Sequence, residues 1–524
     1  MTDPETPAPD PGAGRLSGEA AADVRTVARG GGVQIVGQIS ARGVSSLFTF
    51  IAFRLLDAAA YGLYRIVAQV LAIAGQLGLA GFNYAAMRWI ARARAGGDHG
   101  GVRGAARVGL SGSAIASAIV TVAFVLSAPL LAGMFQESPS DRAELAELFR
   151  IGAAYIPLFA FMQVLRYCTQ AYRTMVPSVI VGNIIQPLAR FALGVGALAL
   201  GFEVVGAVSS LVVSIGLGTL AGIWYFRRIL TADERAAAPH GEPGPMVRFA
   251  LPQAGASLLG IQALGLGVLL LGVLRSDREV GLFGLALSIQ GPGGVFLSGI
   301  LNIWAPVVSE LHHKGEMERL ESLYKTITRW VATFSFPVFA ALILEPDLFA
   351  RIAGGPSAVE AAPVVAILAA GNLFYTGTGP TGYVLSMTGR PVVNLINSVA
   401  GVALYAGLGF WIVPEHGMVG MAVVDAIVTA VVNTARVIQA KILVGVQPFG
   451  RSFLKPVAAT AAGAATLLAW RLVPGGDRWL EAAGVALAGV VYVLVLRALG
   501  VDAEERYVWE QIRARVGRAG RRRS

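Results

Sequence analysis

A chain of 524 residues that is 55% hydrophobic, only 14% charged and has a mean hydropathy of +0.64 is a polytopic membrane protein, not a set of soluble domains. The net charge of +10 would suit nucleic acid in a soluble chain; here the basic residues fall in loops and a tail that face anionic lipid headgroups, so no nucleic-acid partner is expected. One cysteine, Cys168, excludes an internal disulfide framework and carries no redox signal.

Residues 1–30 are rich in Pro, Ala and acidic residues and lack a long apolar run, which predicts a disordered cytoplasmic tail and not a cleaved signal peptide. Apolar segments then recur at about 31–54, 62–83, 108–133, 149–171, 177–201 and 204–226, and again at 249–273, 281–307, 327–350, 361–387, 391–413 and 418–442. A last pair lies near 453–473 and 479–499. Each is long enough for a bilayer, which predicts an all-α protein of about fourteen transmembrane helices.

The first segment is amphipathic in an unusual way. Gln34, Gln38, Arg42, Ser45 and Thr49 recur at three- and four-residue steps and share a face, opposite Val33, Val36, Ile39, Leu47 and Phe48. Arg42 falls near the middle of the span, where insertion of an arginine costs roughly 2.5–3.5 kcal/mol, so it should face protein or a watery cavity. Arg190 sits in the same way near the centre of the fifth span.

Loop charge alternates. One set of loops carries Arg88, Arg92, Arg94, Arg103 and Arg107, then Arg227, Arg228 and Arg248, then Lys314, Arg319 and Lys325. The other set holds Asp57, Glu137, Asp141, Glu203 and Glu415 and a few arginines, so the bias is one of degree. The positive-inside rule puts both termini in the cytoplasm.

The chain also repeats. A shift of 219 (253 minus 34) brings Gln34 onto Gln253 and Gly62-Leu63 onto Gly281-Leu282; a shift of 214 (391 minus 177) brings Pro177 onto Pro391, Asn183 onto Asn397 and Gly206 onto Gly420. The pattern divides the chain into a tail (1–30), a six-helix lobe (31–226), a cytoplasmic linker (227–248), a second six-helix lobe (249–443), two extra helices (444–500) and a basic cytoplasmic tail (501–524). Paired helices keep their orientation, so the lobes are related by an axis along the bilayer normal.

Four stretches carry a family likeness: FRLLDAAAYGLYRIV (Phe53 to Val67), PVVSELHHKGEMERLESLYKTITRW (Pro306 to Trp330), GPTGYVLSMTGRPVVNLINSVAGV (Gly379 to Val402) and WIVPEHGMVGMAV (Trp411 to Val423). In that order they resemble the polysaccharide transporter, or oligosaccharide flippase (Wzx-type), branch of the multidrug/oligosaccharidyl-lipid/polysaccharide (MOP) flippase superfamily. The resemblance implies a MATE-like fold, a multi-pass location in the cell inner membrane and a cargo carried on an undecaprenyl-type diphosphate. It also implies partners that supply and consume that lipid-linked oligosaccharide, such as glycosyltransferases and a polysaccharide polymerase.

The candidate cavity residues are Arg42, Arg190, Gln38, Gln34, Arg65 and Arg166. Paired guanidiniums can meet a diphosphate through forked, charge-assisted hydrogen bonds, and amides both donate to and accept from sugar hydroxyls. The competing role for each is interhelical bonding within the bundle. Arg65 and Arg166 lie nearer span ends, where snorkelling is the stronger alternative. Arg42 maps onto Ile261 and Arg190 onto Leu404 under the two shifts, so these charges belong to the first lobe alone.

Asp425 is the acidic residue set well inside a span, a candidate for a coupling proton or cation or for a structural pair. GPGG at Gly291–Gly294, inside a span, reads as a kink or hinge. No phosphate loop, nucleophile elbow, zinc motif or dinucleotide fingerprint occurs in a credible context, so no enzyme activity, catalytic residue, metal or cofactor is expected. The leading expectation is export of a lipid-linked oligosaccharide. The alternatives are a drug/cation antiporter of the same superfamily, which should want carboxylates where this chain has arginine, or a flippase for a lipid-linked peptidoglycan precursor.

Overall fold

In the computed structural model, residues 18–259, 265–472 and 478–500 are described, and among them every regular element is helical. The first lobe comprises α1 (Gly18–Leu79), α2 (Phe82–Ala95), α3 (His99–Ala132), α4 (Pro139–Gly152), α5 (Tyr155–Gln170), α6 (Val176–Val179), α7 (Gln186–Ala199) and α8 (Glu203–Ile229). The short α9 (Ala232–Ala236) leads into α10 (Pro243–Leu259), α11 (Leu266–Leu274), α12 (Asp277–Ile289), α13 (Gly291–His313), α14 (Met317–Leu344) and α15 (Pro346–Gly354). The second lobe closes with α16 (Ala362–Gly377), α17 (Thr381–Met387) and α18 (Pro391–Gln439); α19 (Leu454–Trp470) and α20 (Arg478–Ala498) follow.

The helices are apolar on the outside. On α3, Ile115, Ile119, Val122, Leu126 and Leu130 form an exposed stripe, while Gly104, Ala105, Gly109, Ser113 and Ser117 make the buried face. Large apolar residues outward and small residues inward is the arrangement of a helix solvated by lipid, where helices associate by close packing. Ten described helices are long and apolar enough to cross a membrane, or up to eleven with the bent pair α12–α13 taken as one span.

Two of the longest helical runs are hairpins. In α1 the Tyr61 hydroxyl donates to Thr49 Oγ1 (3.3 Å), and the ring pairs Phe53–Tyr61 and Phe48–Tyr64 have centroids 5.6 and 6.1 Å apart. Residues so distant in sequence meet only if the chain reverses, and it does so at Asp57 (φ 69°). The Asp57 carboxylate then accepts from the backbone N–H groups of Ala59 (2.8 Å) and Ala60 (3.0 Å), capping the second leg. In α18 the reversal is at Gly417 (φ 54°), and Gln439 Nε2 donates across the legs to Asn397 Oδ1 (3.0 Å). Under the 214-residue shift Gly417 corresponds to Glu203, which also has a positive φ (46°), so the two lobes turn in the same way at the same place.

The lobes meet at the repeat's own axis. A Cβ on Gly62 would lie 1.8 Å from the Asp277 carbonyl oxygen, and one on Gly281 would lie 1.9 Å from the Ala58 carbonyl oxygen. Gly62 and Gly281 are equivalent under the 219-residue shift, as are Ala58 and Asp277 (277 minus 219), so the contact is reciprocal. Only glycine lets two backbones approach this closely.

Several boundaries differ from the sequence expectation. The first helix begins at Gly18, so the end of the expected 1–30 tail is helical; residues 1–17 and the basic tail 501–524 lie outside the described residues. The second span does not stop at 83: it breaks at Ala80–Gly81, both with positive φ, and continues as α2 to Ala95. The fourth starts at Pro139, because Ser138 and Pro139 begin a helix that carries the acidic residues of the expected loop. The expected 227–248 linker shrinks to 230–242 between α8 and α10, and within the seventh expected span residues 260–264 are not described, so a count of fourteen is not established. The bend at the GPGG stretch is present, with α12 and α13 meeting at 54°.

The linker is docked, not loose. Thr231 and Glu234 form a capping box, the Tyr172 hydroxyl donates to Glu234 (2.8 Å), and Arg94 pairs with the same carboxylate (3.3 Å). Burial works against the Glu234 charge, but the Thr231 backbone N–H, the Tyr172 hydroxyl and Arg94 together hold its carboxyl below the ordinary range. The last two helices attach to the second lobe: the Tyr492 hydroxyl donates to the Thr333 carbonyl (2.6 Å), and Arg471 pairs with Glu345 (2.9 Å).

Candidate functional site

Two of the arginines singled out in the first lobe surround one tyrosine at the seam between lobes. Tyr64, fully buried about two turns past the Asp57 hairpin, accepts a hydrogen bond from Arg190 Nη2 and lies within electrostatic reach of both Arg190 and Arg65. The Arg190 guanidinium also stands over the Phe48 ring, 4.8 Å from its centroid. Arg65 leans on the second lobe at Gly284, where an added Cβ would be 3.0 Å from its Nε. The Nε atoms of Arg190 and Arg65 are both buried and without a hydrogen-bond partner. Cationic donors with unused valence at membrane depth are the natural complement of an anion.

Arg42 is placed differently. It is exposed on α1 and reaches across the seam to Gly294 of α13, where a Cβ would lie 3.8 Å from its Nη1. Ser46, one turn on, donates to the Ser288 carbonyl (3.4 Å). Arg42 is within electrostatic reach of Tyr375 on α16, which also senses Arg436 of α18. Arg42 and Arg190 therefore do not converge on one point: one faces the second lobe, the other is folded into the aromatic packing of the first. Gln38 and Gln34 are half-buried one and two turns before Arg42 on the same helix.

Arg166 is fully engaged inside the first lobe. Its Nε donates to the Ser178 carbonyl (3.1 Å), Nη1 to Gln163 Oε1 (2.7 Å) and Nη2 to Asn183 Oδ1 (3.3 Å). Gln163 is on the same helix, Ser178 lies in α6, and Asn183 lies inside the π turn Ile180–Ile185 that joins α6 to α7. Arg166 thus bonds the backbone just before the π turn and a side chain within it.

The second lobe contains a cavity of about 570 Å³ that the sequence reading did not anticipate. Asp425 lines it and accepts from the Tyr405 hydroxyl (3.2 Å). Arg436 lines it too, only 8% exposed, with Nη2 donating to Ser398 Oγ (3.3 Å) and Nε unpartnered. Arg436 escaped notice because it lies near the end of an apolar span; its polar neighbour Asn433 one turn earlier was the available signal. Among the described residues no cluster of His, Cys, Asp and Glu could hold a metal ion.

Two helical lobes related by an internal repeat, apolar outside and carrying polar, cationic residues where they meet, define a multi-pass membrane protein. Residues 27–312 match the polysaccharide biosynthesis protein family, and the chain belongs to it. It is 23% identical over 395 residues to Stage V sporulation protein B of Bacillus subtilis (strain 168), covering 71% of this chain and 74% of that protein. Among solved structures, the lipid II flippase MurJ in an inward closed conformation superposes with a TM-score of 0.69 at 10% identity, covering 88% of this chain and 97% of that one. A multidrug resistance MATE family transporter of the MOP superfamily, inward-facing, gives 0.61 at 16% identity over 78% and 98%. These similarities show the fold and leave the cargo to the residues of this chain.

Proposed function

We propose that this protein is a flippase that moves a lipid-linked oligosaccharide, carried on an undecaprenyl-type diphosphate, from the cytoplasmic to the outer leaflet of the cell inner membrane. The observation that carries the reading is the pair of buried, unpartnered Nε groups of Arg190 and Arg65 around Tyr64 at the lobe seam. Arg42 faces the cargo from α1, with Gln38 and Gln34 alongside for hydroxyl groups, while Arg166 keeps the π turn in shape. The lobes rock about the seam to alternate access. With both termini cytoplasmic, each negative charge carried outward gains about 2.3 kcal/mol per 100 mV of inside-negative potential, so two charges gain on the order of 4–5 kcal/mol and no nucleotide is required. Glycosyltransferases and a polymerase supply and consume the cargo. Cationic groups at the seam speak against a drug/cation antiporter; a lipid-linked peptidoglycan precursor has the same diphosphate chemistry.

The test is flipping of a fluorescent undecaprenyl-diphosphate oligosaccharide in proteoliposomes carrying an imposed potential. Arg190→Gln and Arg42→Ala should each lower the initial rate more than ten-fold with normal insertion and yield. Full activity in both variants would refute the anionic-cargo assignment, and transport of the peptidoglycan precursor alone would reassign the cargo.

A further inference from the structure

The cavity in the second lobe is built for something other than a phosphate. Arg436 brings one positive charge to it and Asp425 one negative, so it is close to neutral overall, and the acid would repel a diphosphate. The remaining polar lining is hydroxyl and amide, and Tyr375 and Tyr383 supply aromatic faces. Its size is that of pockets that take small organic ligands, about 300–1,000 Å³.

Two unsatisfied polar atoms in it face the same spot. Arg436 Nε is a donor without an acceptor, and Asn394 Oδ1 is an acceptor without a donor; both are buried. Asn394 Nδ2 is already committed to Ser386 Oγ (3.1 Å), and Arg436 Nη2 to Ser398 Oγ. Gly382 leaves a hollow between them: a Cβ there would lie 3.4 Å from Asn394 Oδ1 and 3.7 Å from Arg436 Nε. Both unmatched atoms thus border the same glycine on the cavity wall. A phosphate oxygen can only accept and would leave Asn394 Oδ1 unmatched, whereas a hydroxyl accepts from the guanidinium and donates to the amide oxygen together. Buried groups left unpaired are costly, so a ligand that satisfies both is strongly selected.

We propose that this cavity is a carbohydrate subsite, in which one sugar hydroxyl sits over Gly382 between Arg436 Nε and Asn394 Oδ1 and the glycan stacks against Tyr375 and Tyr383. The subsite rests on the flippase reading above and divides the labour between lobes: the first holds the diphosphate, the second reads the sugar.

Gly382→Ala tests it with little disturbance, because an added methyl meets only ordinary van der Waals contacts while filling the hollow. The full-length protein in lipid nanodiscs is titrated with farnesyl diphosphate and with farnesyl diphosphates bearing N-acetylglucosamine, glucose or galactose. The wild type should bind at least one sugar-bearing probe ten-fold or more tighter than the bare diphosphate. Gly382→Ala and Asn394→Ala should abolish that increment and leave the affinity for bare farnesyl diphosphate unchanged. A wild type with no sugar increment, or variants that retain it, would overturn the subsite while leaving the flippase reading intact; a wild type that binds no probe at all would overturn the flippase reading itself.

Discussion

An arginine within the bilayer must be answered by partners, and the arginines of this chain are answered to different degrees. Arg166 spends all three of its nitrogens on Gln163, Ser178 and Asn183, Arg190 and Arg65 keep a buried nitrogen free, and Arg42 faces the other lobe from an exposed position. The mid-span placement of Arg42 and Arg190 was legible in the sequence because charge in an apolar run stands out. Which of them held a vacancy was not, because a free valence depends on neighbours that come from other helices. Asp425 was legible for the same reason, but its partner Tyr405 lies twenty residues away across a hairpin. If the Asp425–Tyr405 pair couples cargo movement to a cation, Asp425→Asn should leave transport driven by membrane potential intact and remove its response to an imposed proton or sodium gradient. Proteoliposomes with each gradient set separately measure this, and a gradient response equal to wild type would assign Asp425 a structural role.

At the scale of elements, long apolar segments and the repeat were readable because lipid enforces length and the duplication enforces spacing. Helix interruptions were less so. The π turn at Ile180–Ile185 has no periodic signature, and the break at Ala80–Gly81 is set by contact: a Cβ on Gly81 would lie 2.2 Å from the Ala250 carbonyl. The Gly62–Gly281 crossing was visible only as two glycines brought together by a shift, with nothing to say that they touch. It now makes a definite demand. Gly62→Ala must drive the Asp277 backbone away, so the closed seam should lose about 1–3 kcal/mol, the range for overpacking a tight contact. A lowered melting temperature in detergent, together with faster thiol labelling of a cysteine placed at the buried Ala58, would be the expected result. An unchanged labelling rate would show that the seam does not gate that end.

For the whole molecule, the linker that leads into the second lobe is docked on the first lobe's basic end. Glu234 accepts from Thr231 and Tyr172 and pairs with Arg94, and its folded pKa lies below the ordinary value of 4.5. A depressed carboxyl contributes stability above its unfolded pKa and loses it as pH falls through the folded one. Docking should therefore be complete at neutral pH and be released below about pH 4.5, read as faster hydrogen exchange across residues 230–242. Glu234→Gln should show fast exchange at both pH values; slow exchange in that variant at pH 7 would place the anchoring elsewhere. This docking was not legible in the sequence, since a short polar stretch between spans looks the same whether free or bound.

The seam where Ala58 receives Gly281 and Asp277 receives Gly62 has a bearing on origins. A patch that is its own complement, position 58 of one half on position 62 of the other and the reverse, is what two identical six-helix chains would form as a two-fold dimer. Fusing two such chains end to end would preserve that handshake and free each copy to diverge, one toward guanidinium groups and the other toward amides and hydroxyls.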